Sequence, residues 1–74
     1  MNDLKKLLNE KEFKIEICEQ TNTYTICVVH EMGMWNCNEN KHDVALHYII
    51  FDSKGGFYYD SYDLDVINEV KEEL

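Results

Sequence analysis

The eight residues Val44-Ala45-Leu46-His47-Tyr48-Ile49-Ile50-Phe51 form a nearly continuous apolar run, broken only by His47. A run this short, rich in β-branched and aromatic side chains, reads as a strand. Apolar groups on both sides of its pleat need cover on both faces over at least part of its length, which makes the strand central. That need constrains the rest of the chain, because 74 residues make one domain with room for one modest core. The helical patterns available to supply the cover lie at the two ends.

At the start, Asn2 or Asp3 caps a short helix in which Leu4, Leu7 and Leu8 form an apolar stripe while Lys5, Lys6, Asn9 and Glu10 face water. A helix of about eight residues is marginal alone and must dock. From Phe13 the period becomes two, with Phe13, Ile15 and Ile17 on one side. After a turn at Glu19-Gln20-Thr21-Asn22, Tyr24, Ile26 and Val28 alternate with Thr25, Cys27 and Val29. Between Glu31 and Asp43 periodicity is lost, and this long stretch reads as a loop and a candidate functional element. Asp52-Ser53-Lys54-Gly55-Gly56 is a hairpin turn, Phe57-Tyr58-Tyr59 a fourth strand, and Ser61 or Asp63 caps a last helix with Leu64, Ile67, Val70 and Leu74 on one side. The predicted fold is α+β, a single domain over 1–74: a four-stranded antiparallel sheet flanked by a short N-terminal and a C-terminal helix, in the order α-β-β-β-β-α.

Fifteen Asp and Glu face seven lysines and no arginine, for a net charge of −8. Residues 52–74 hold seven acids and two lysines, Lys54 and Lys71. Such a field repels nucleic acid and speeds encounter with a basic protein surface, so the expected partner is a basic, nucleic-acid-binding protein rather than DNA or RNA. Three cysteines, Cys18, Cys27 and Cys37, lack C-x-x-C spacing and read as reduced thiols in a cytoplasm. The opening residues do not read as a secretion signal, and no apolar run approaches the roughly 18 residues of a membrane helix. His30, Cys37, His42 and His47 are ligand types at spacings that match no zinc template, so neither metal nor cofactor is expected. With no nucleophile elbow and no phosphate-cradling glycine loop, the chain does not read as an enzyme.

The candidate partner-binding residues are Tyr59, Asp60, Tyr62, Asp63, Asp65, Glu69 and Glu72, with Trp35 from the loop. Phenol rings and carboxylates interleave from Tyr58 to Asp65, and tyrosine is a common interface anchor. Asp65, Glu69 and Glu72 follow i, i+4, i+7, opposite the Leu64, Ile67, Val70 stripe. At about 1.5 Å rise per residue they stand roughly 5 to 6 Å apart along the axis, the order of the charge spacing in a nucleic-acid strand. A plain solubilising face would mix both signs, and this one holds little lysine. Val29, Ala45, Ile49 and Phe51 exceed what two short helices cover, which allows a homodimer.

The run Asn2-Asp3-Leu4 through Lys11-Glu12-Phe13-Lys14-Ile15, followed by Thr23-Tyr24-Thr25-Ile26-Cys27-Val28-Val29, resembles the opening helix and first two strands of small acidic anti-CRISPR proteins. These are phage-encoded inhibitors that bind a CRISPR effector nuclease, in some members by placing acidic side chains where target DNA would sit. The resemblance implies a phage-type inhibitor acting in the host cytoplasm, with the acids from Asp60 to Glu72 as a DNA mimic against the lysines and arginines of a DNA-reading cleft. The third strand and the Trp-bearing loop at 32–40 lie outside it. An immunity or antitoxin protein covering a nuclease toxin needs the same surface. A regulatory protein-interaction domain acting through the 31–43 loop is the alternative of a different class.

Overall fold

The structure, a computed structural model, describes residues 2–74. Its elements are α1 (Asp3–Leu8), β1 (Lys14–Gln20), β2 (Tyr24–Asn36), β3 (Lys41–Asp52), β4 (Phe57–Ser61) and α2 (Leu64–Lys71). The four strands form one antiparallel meander in the order β1-β2-β3-β4. The α+β architecture expected from the sequence is therefore the one observed.

Strand alternation sends side chains to two faces, and each face takes one helix. On the α2 face, Ile26 of β2 lies opposite Ile50 of β3, and both pack on Ile67 of α2, with Tyr24, Tyr48, Val70 and Leu74 around them. On the α1 face, Ile15 and Ile17 of β1 oppose Val29 and Cys27 of β2, and Thr25 opposes Phe51. Residues 25–29 of β2 are all buried, so β2 is the doubly covered strand. The expectation for β3 holds only at its end: Ile50 and Phe51 are buried, while Val44 is 65% and Leu46 38% exposed.

Local chemistry sets the boundaries. Asn2 caps α1 by accepting from Lys5 N, and its amide donates to the Lys54 carbonyl. Leu4 N donates to Gly55 O, and Phe57 N to the Asp3 carboxylate, so α1 is tied to the β3–β4 turn by its first turn. In that turn Asp52 accepts from Lys54 N and Gly56 N, and Gly55 takes φ 82°, where a side chain would be strained and would meet Asn2.

The stretch from Glu31 to Asp43 is not the loop its composition suggests. β2 runs on to Asn36 and β3 begins at Lys41, so only residues 37–40 turn. This hairpin arm extends past the ends of β1 and β4: the β1 ladder stops at Lys14–His30, the β4 ladder at Ser61–Tyr48. The register slips between Met32 and Trp35, where the β2 chain carries one extra residue. A Cβ on Gly33 would stand 2.8 Å from the Asp43 carbonyl oxygen, so the bulge leaves no room for a side chain there. The molecule measures 43 × 27 × 15 Å. Its radius of gyration of 13.5 Å exceeds the about 11 Å of a compact chain this long, as a projecting arm requires. Among the described residues no helix is long and apolar enough to cross a membrane.

Candidate functional site

Helix α2 forms where a 3.6-residue apolar stripe follows a cap. Asp63, in extended conformation, accepts from Asp65 N at 2.9 Å, and Ile67 N donates to the Asp63 carbonyl. Ile67 is fully buried and holds the helix on the sheet, with Val70 and Leu74 beside it; Leu64, placed on the same stripe from sequence, is 46% exposed. The opposite side then has to face water. Asp65, Glu69, Glu72 and Glu73 are exposed, and among the described residues no lysine forms an ion pair with any of them.

The lysine nearest this face is engaged elsewhere. Lys71 Nζ donates to Glu19 Oε2 at 2.9 Å, and Tyr24 Oη donates to Glu19 Oε1 at 2.5 Å, tying the end of α2 to the β1–β2 hairpin. The Tyr24 hydroxyl bond, then Lys71, holds the Glu19 carboxyl below its ordinary value, and the Glu19 bond raises Lys71. Of the other lysines, Lys5 and Lys6 lie on α1 and Lys11 in the passage to β1, while Lys14 opens β1 and is paired with Glu16 at 3.1 Å. Because α1 and α2 cover opposite faces, the sheet separates the lysine-bearing helix from the acidic one.

The eight residues singled out from the sequence fall in three places. Asp65 and Glu69 lie on α2 and Asp63 and Glu72 are its N- and C-caps, and Tyr59, opposite Ile50 on β4, emerges beside it at 40% exposure. Asp60 and Tyr62 turn to the α1 face, so they do not join the acidic ladder. Trp35 stands on the arm, paired with His42, six residues or about 20 Å along β3 from Tyr48. Asp60, Asp63 and Asp52 also have internal partners, which leaves Asp65, Glu69, Glu72 and Glu73 as the acids of the C-terminal region without a side-chain partner among the described residues.

On the α1 face, Asp60 meets a group missed by the sequence reading. His47 Nε2 lies 2.7 Å from Asp60 Oδ2 and its Nδ1 2.8 Å from Glu31 Oε2. The Tyr62 ring stacks on the imidazole with centroids 4.5 Å apart and planes 13° from parallel, and its hydroxyl donates to Glu31 Oε1 at 2.5 Å. Burial works against charge on His47, but the bonds to Asp60 and Glu31 outweigh it, so its pKa is raised above the usual 6.5. The Tyr62 bond lowers Glu31, and the reciprocal bond to Glu31 raises Tyr62. The signal available in the sequence was a histidine at an inward strand position, which needs polar partners. Next to this cluster a groove of about 580 Å³ opens under α1, floored by Val29, Ile49, Phe51 and Phe57.

The arm exposes Met32 (73%), Met34 (84%) and Trp35 (51%). The Trp35 and His42 rings meet edge to face at 5.1 Å, and His42 Nδ1 donates to Gly33 O at 3.1 Å. Between Met32 and His42 the only charged residues are Glu39 and Lys41, which pair at 3.5 Å, so this stretch is neutral in a strongly acidic chain.

Comparison with protein-family models, with curated proteins and with solved structures finds no match in any of the three. Among the described residues no three His, Cys, Asp or Glu side chains converge in a way that could hold a metal ion.

Proposed function

We propose that this protein is a binding protein, not a catalyst, that uses the outward face of α2 to occupy a positively charged, nucleic-acid-binding cleft on another protein. The observation that carries this reading is the row Asp65, Glu69, Glu72, exposed and without a cation in pairing contact, on the face opposite the lysine-bearing α1. Tyr59 at the edge of that face supplies apolar area beside the charges. Single exposed ion pairs contribute about 0 to 1 kcal/mol, so the acids set encounter rate and orientation while buried aromatic area sets residence time. The resemblance of the opening residues to anti-CRISPR proteins makes a CRISPR effector the first partner to test, in the cytoplasm of a host cell, and a nuclease toxin the second.

The test measures association of the chain with each purified partner over a salt series, for the wild type and for the combined variant D65N/E69Q/E72Q. The expected result is an association rate that falls with salt and falls at least about tenfold in the variant, within the range of electrostatic steering. Equal rates for both proteins at low salt would remove α2 as the contact.

A second reading is favoured by the arm, which exposes Met32, Met34 and Trp35 within four residues. Here the same class of partner is held by the arm. A variant with Met32, Met34 and Trp35 replaced by serine would then lose binding while the α2 variant keeps it.

A further inference from the structure

The side chains around His47 close a loop of contacts across four parts of the fold. Glu31 comes from β2, His47 from β3, Asp60 from β4, and Tyr62 from the link between β4 and α2, one residue before the cap Asp63. Ionised carboxylates only accept hydrogen bonds, and the two ring nitrogens face carboxylate oxygens at 2.8 and 2.7 Å. Both contacts are hydrogen bonds at once only when the ring carries two protons. A neutral ring has one N–H, and its bare nitrogen would then point a lone pair at a carboxylate.

We propose that Glu31, His47, Asp60 and Tyr62 form a protonation-controlled clasp, which fixes the β4–α2 joint against β2 and β3 when His47 is charged and releases it when His47 is neutral. The geometry also says which side opens. Glu31 has a second bond, from Tyr62, and its side chain is 27% exposed; Asp60 has no other side-chain partner among the described residues and is 45% exposed. Water replaces the imidazole more easily at Asp60, so the single proton of the neutral ring stays on Nδ1 and the Asp60 contact parts. The stack with Tyr62 weakens at the same step, because a cation over a phenol ring is held more strongly than a neutral ring. The outcome is one more solvated carboxylate on β4 and a looser start to the acidic helix.

The other charged groups lining the groove beside His47 are Asp3 and Lys6 of α1 and Glu10 just after it. Asp3 is bound to Phe57 N and Glu10 accepts from the Lys11 and Glu12 amides, so the charge on His47 is held by Glu31 and Asp60. His47 has a raised pKa, so the clasp's contribution to stability is complete below pH 6.5 and disappears as pH rises through the raised value.

The experiment follows the His47 ring by NMR from about pH 5 to about pH 9, together with hydrogen exchange at the Asp65 and Ile67 amides, which the cap residue Asp63 holds. The expected result is a His47 midpoint above 6.5. Exchange at the two amides, corrected for its intrinsic pH dependence, should rise about tenfold across the same midpoint, the effect of losing one bond to a charged group. In His47→Gln the rise should be present at every pH, and in Asp60→Asn the His47 midpoint should fall. Should His47→Gln fail to fold, the wild-type titration and the exposed Asp60→Asn change decide the matter. A midpoint at or below 6.5, or amide exchange that ignores the midpoint, overturns the clasp.

Discussion

Replacing Ile67 by alanine tests whether α2 is part of the core or an appendage. Ile67 is fully buried between Ile26 and Ile50, and no other α2 side chain is buried to that degree. The truncation removes three carbons from a site whose floor is two hydrogen-bonded strands that cannot collapse into the gap. Such changes cost about 2 to 5 kcal/mol, and a value near 3 is expected here because the short helix above can settle part of the way. A domain of this size has about 4 to 11 kcal/mol in all. At about 4 to 8 °C per kcal/mol, the melting temperature should drop by about 12 to 24 °C. Urea unfolding should show a lower midpoint at unchanged slope, since a lower slope would mean that α2 had already left the sheet. Leu7→Ala is the control: Leu7 is half-buried over an open groove, in a helix held by its first turn, and should cost less than about 1 kcal/mol. The reasoning is refuted if Ile67→Ala costs under about 1 kcal/mol or if the two variants cost the same.

Thiol labelling of the native protein should count two reactive cysteines, because Cys18 and Cys37 are exposed while Cys27 is fully buried and burial pushes its thiol up to about 11; fast labelling of all three would place Cys27 outside the core. On the acid side, Glu31 is lowered by Tyr62 and then His47, and Glu19 by Tyr24 and then Lys71. Groups lowered in the folded state stabilise above their usual 4.5 and lose that contribution as pH falls through the depressed values, so urea midpoints should decline below about pH 4.5, and Glu19→Gln should make the decline shallower.

Where residues answer to their neighbours in the chain, the sequence was sufficient. The 3.6-residue stripe after Asp63 gives α2, and the aspartate and glycines at residues 52–56 give the β3–β4 turn, because cap and turn chemistry act within four residues. The arm was illegible for a physical reason. Strand alternation is visible when one side must be buried, and residues 32–43 have no helix over either face. The bulge at Gly33 then breaks the period of two in the middle of β2. Asn40, at φ 55° in the tip, and Asn36, whose side-chain oxygen accepts from Asn38 N and Glu39 N, are the local marks of a tight reversal among the described residues. The clasp was hidden because Glu31 and His47 are sixteen residues apart, and only the β2–β3 register brings them to one face.

The arm follows from a mismatch of lengths. A helix of six residues is about 9 Å long and one of eight about 12 Å, whereas the thirteen residues of β2 extend about 43 Å. Each helix braces the same end of the sheet from edge to edge: α1 from the turn before β4 toward β1, and α2 from Tyr62 after β4 to Glu19 on β1. Cover runs out where the helices do, which is why burial on β2 ends at Val29 and on β3 begins at Ile50. Beyond those points a two-stranded ribbon has no layer to pack on and is marginal by itself. Met32, Met34 and Trp35 therefore contribute nothing to the braced end, and the acidic face of α2 gives no reason for them. Contact with a partner through the arm, the second reading under the proposed function, would account for these side chains; in a reading confined to α2 they would be an uncompensated exposure of apolar surface.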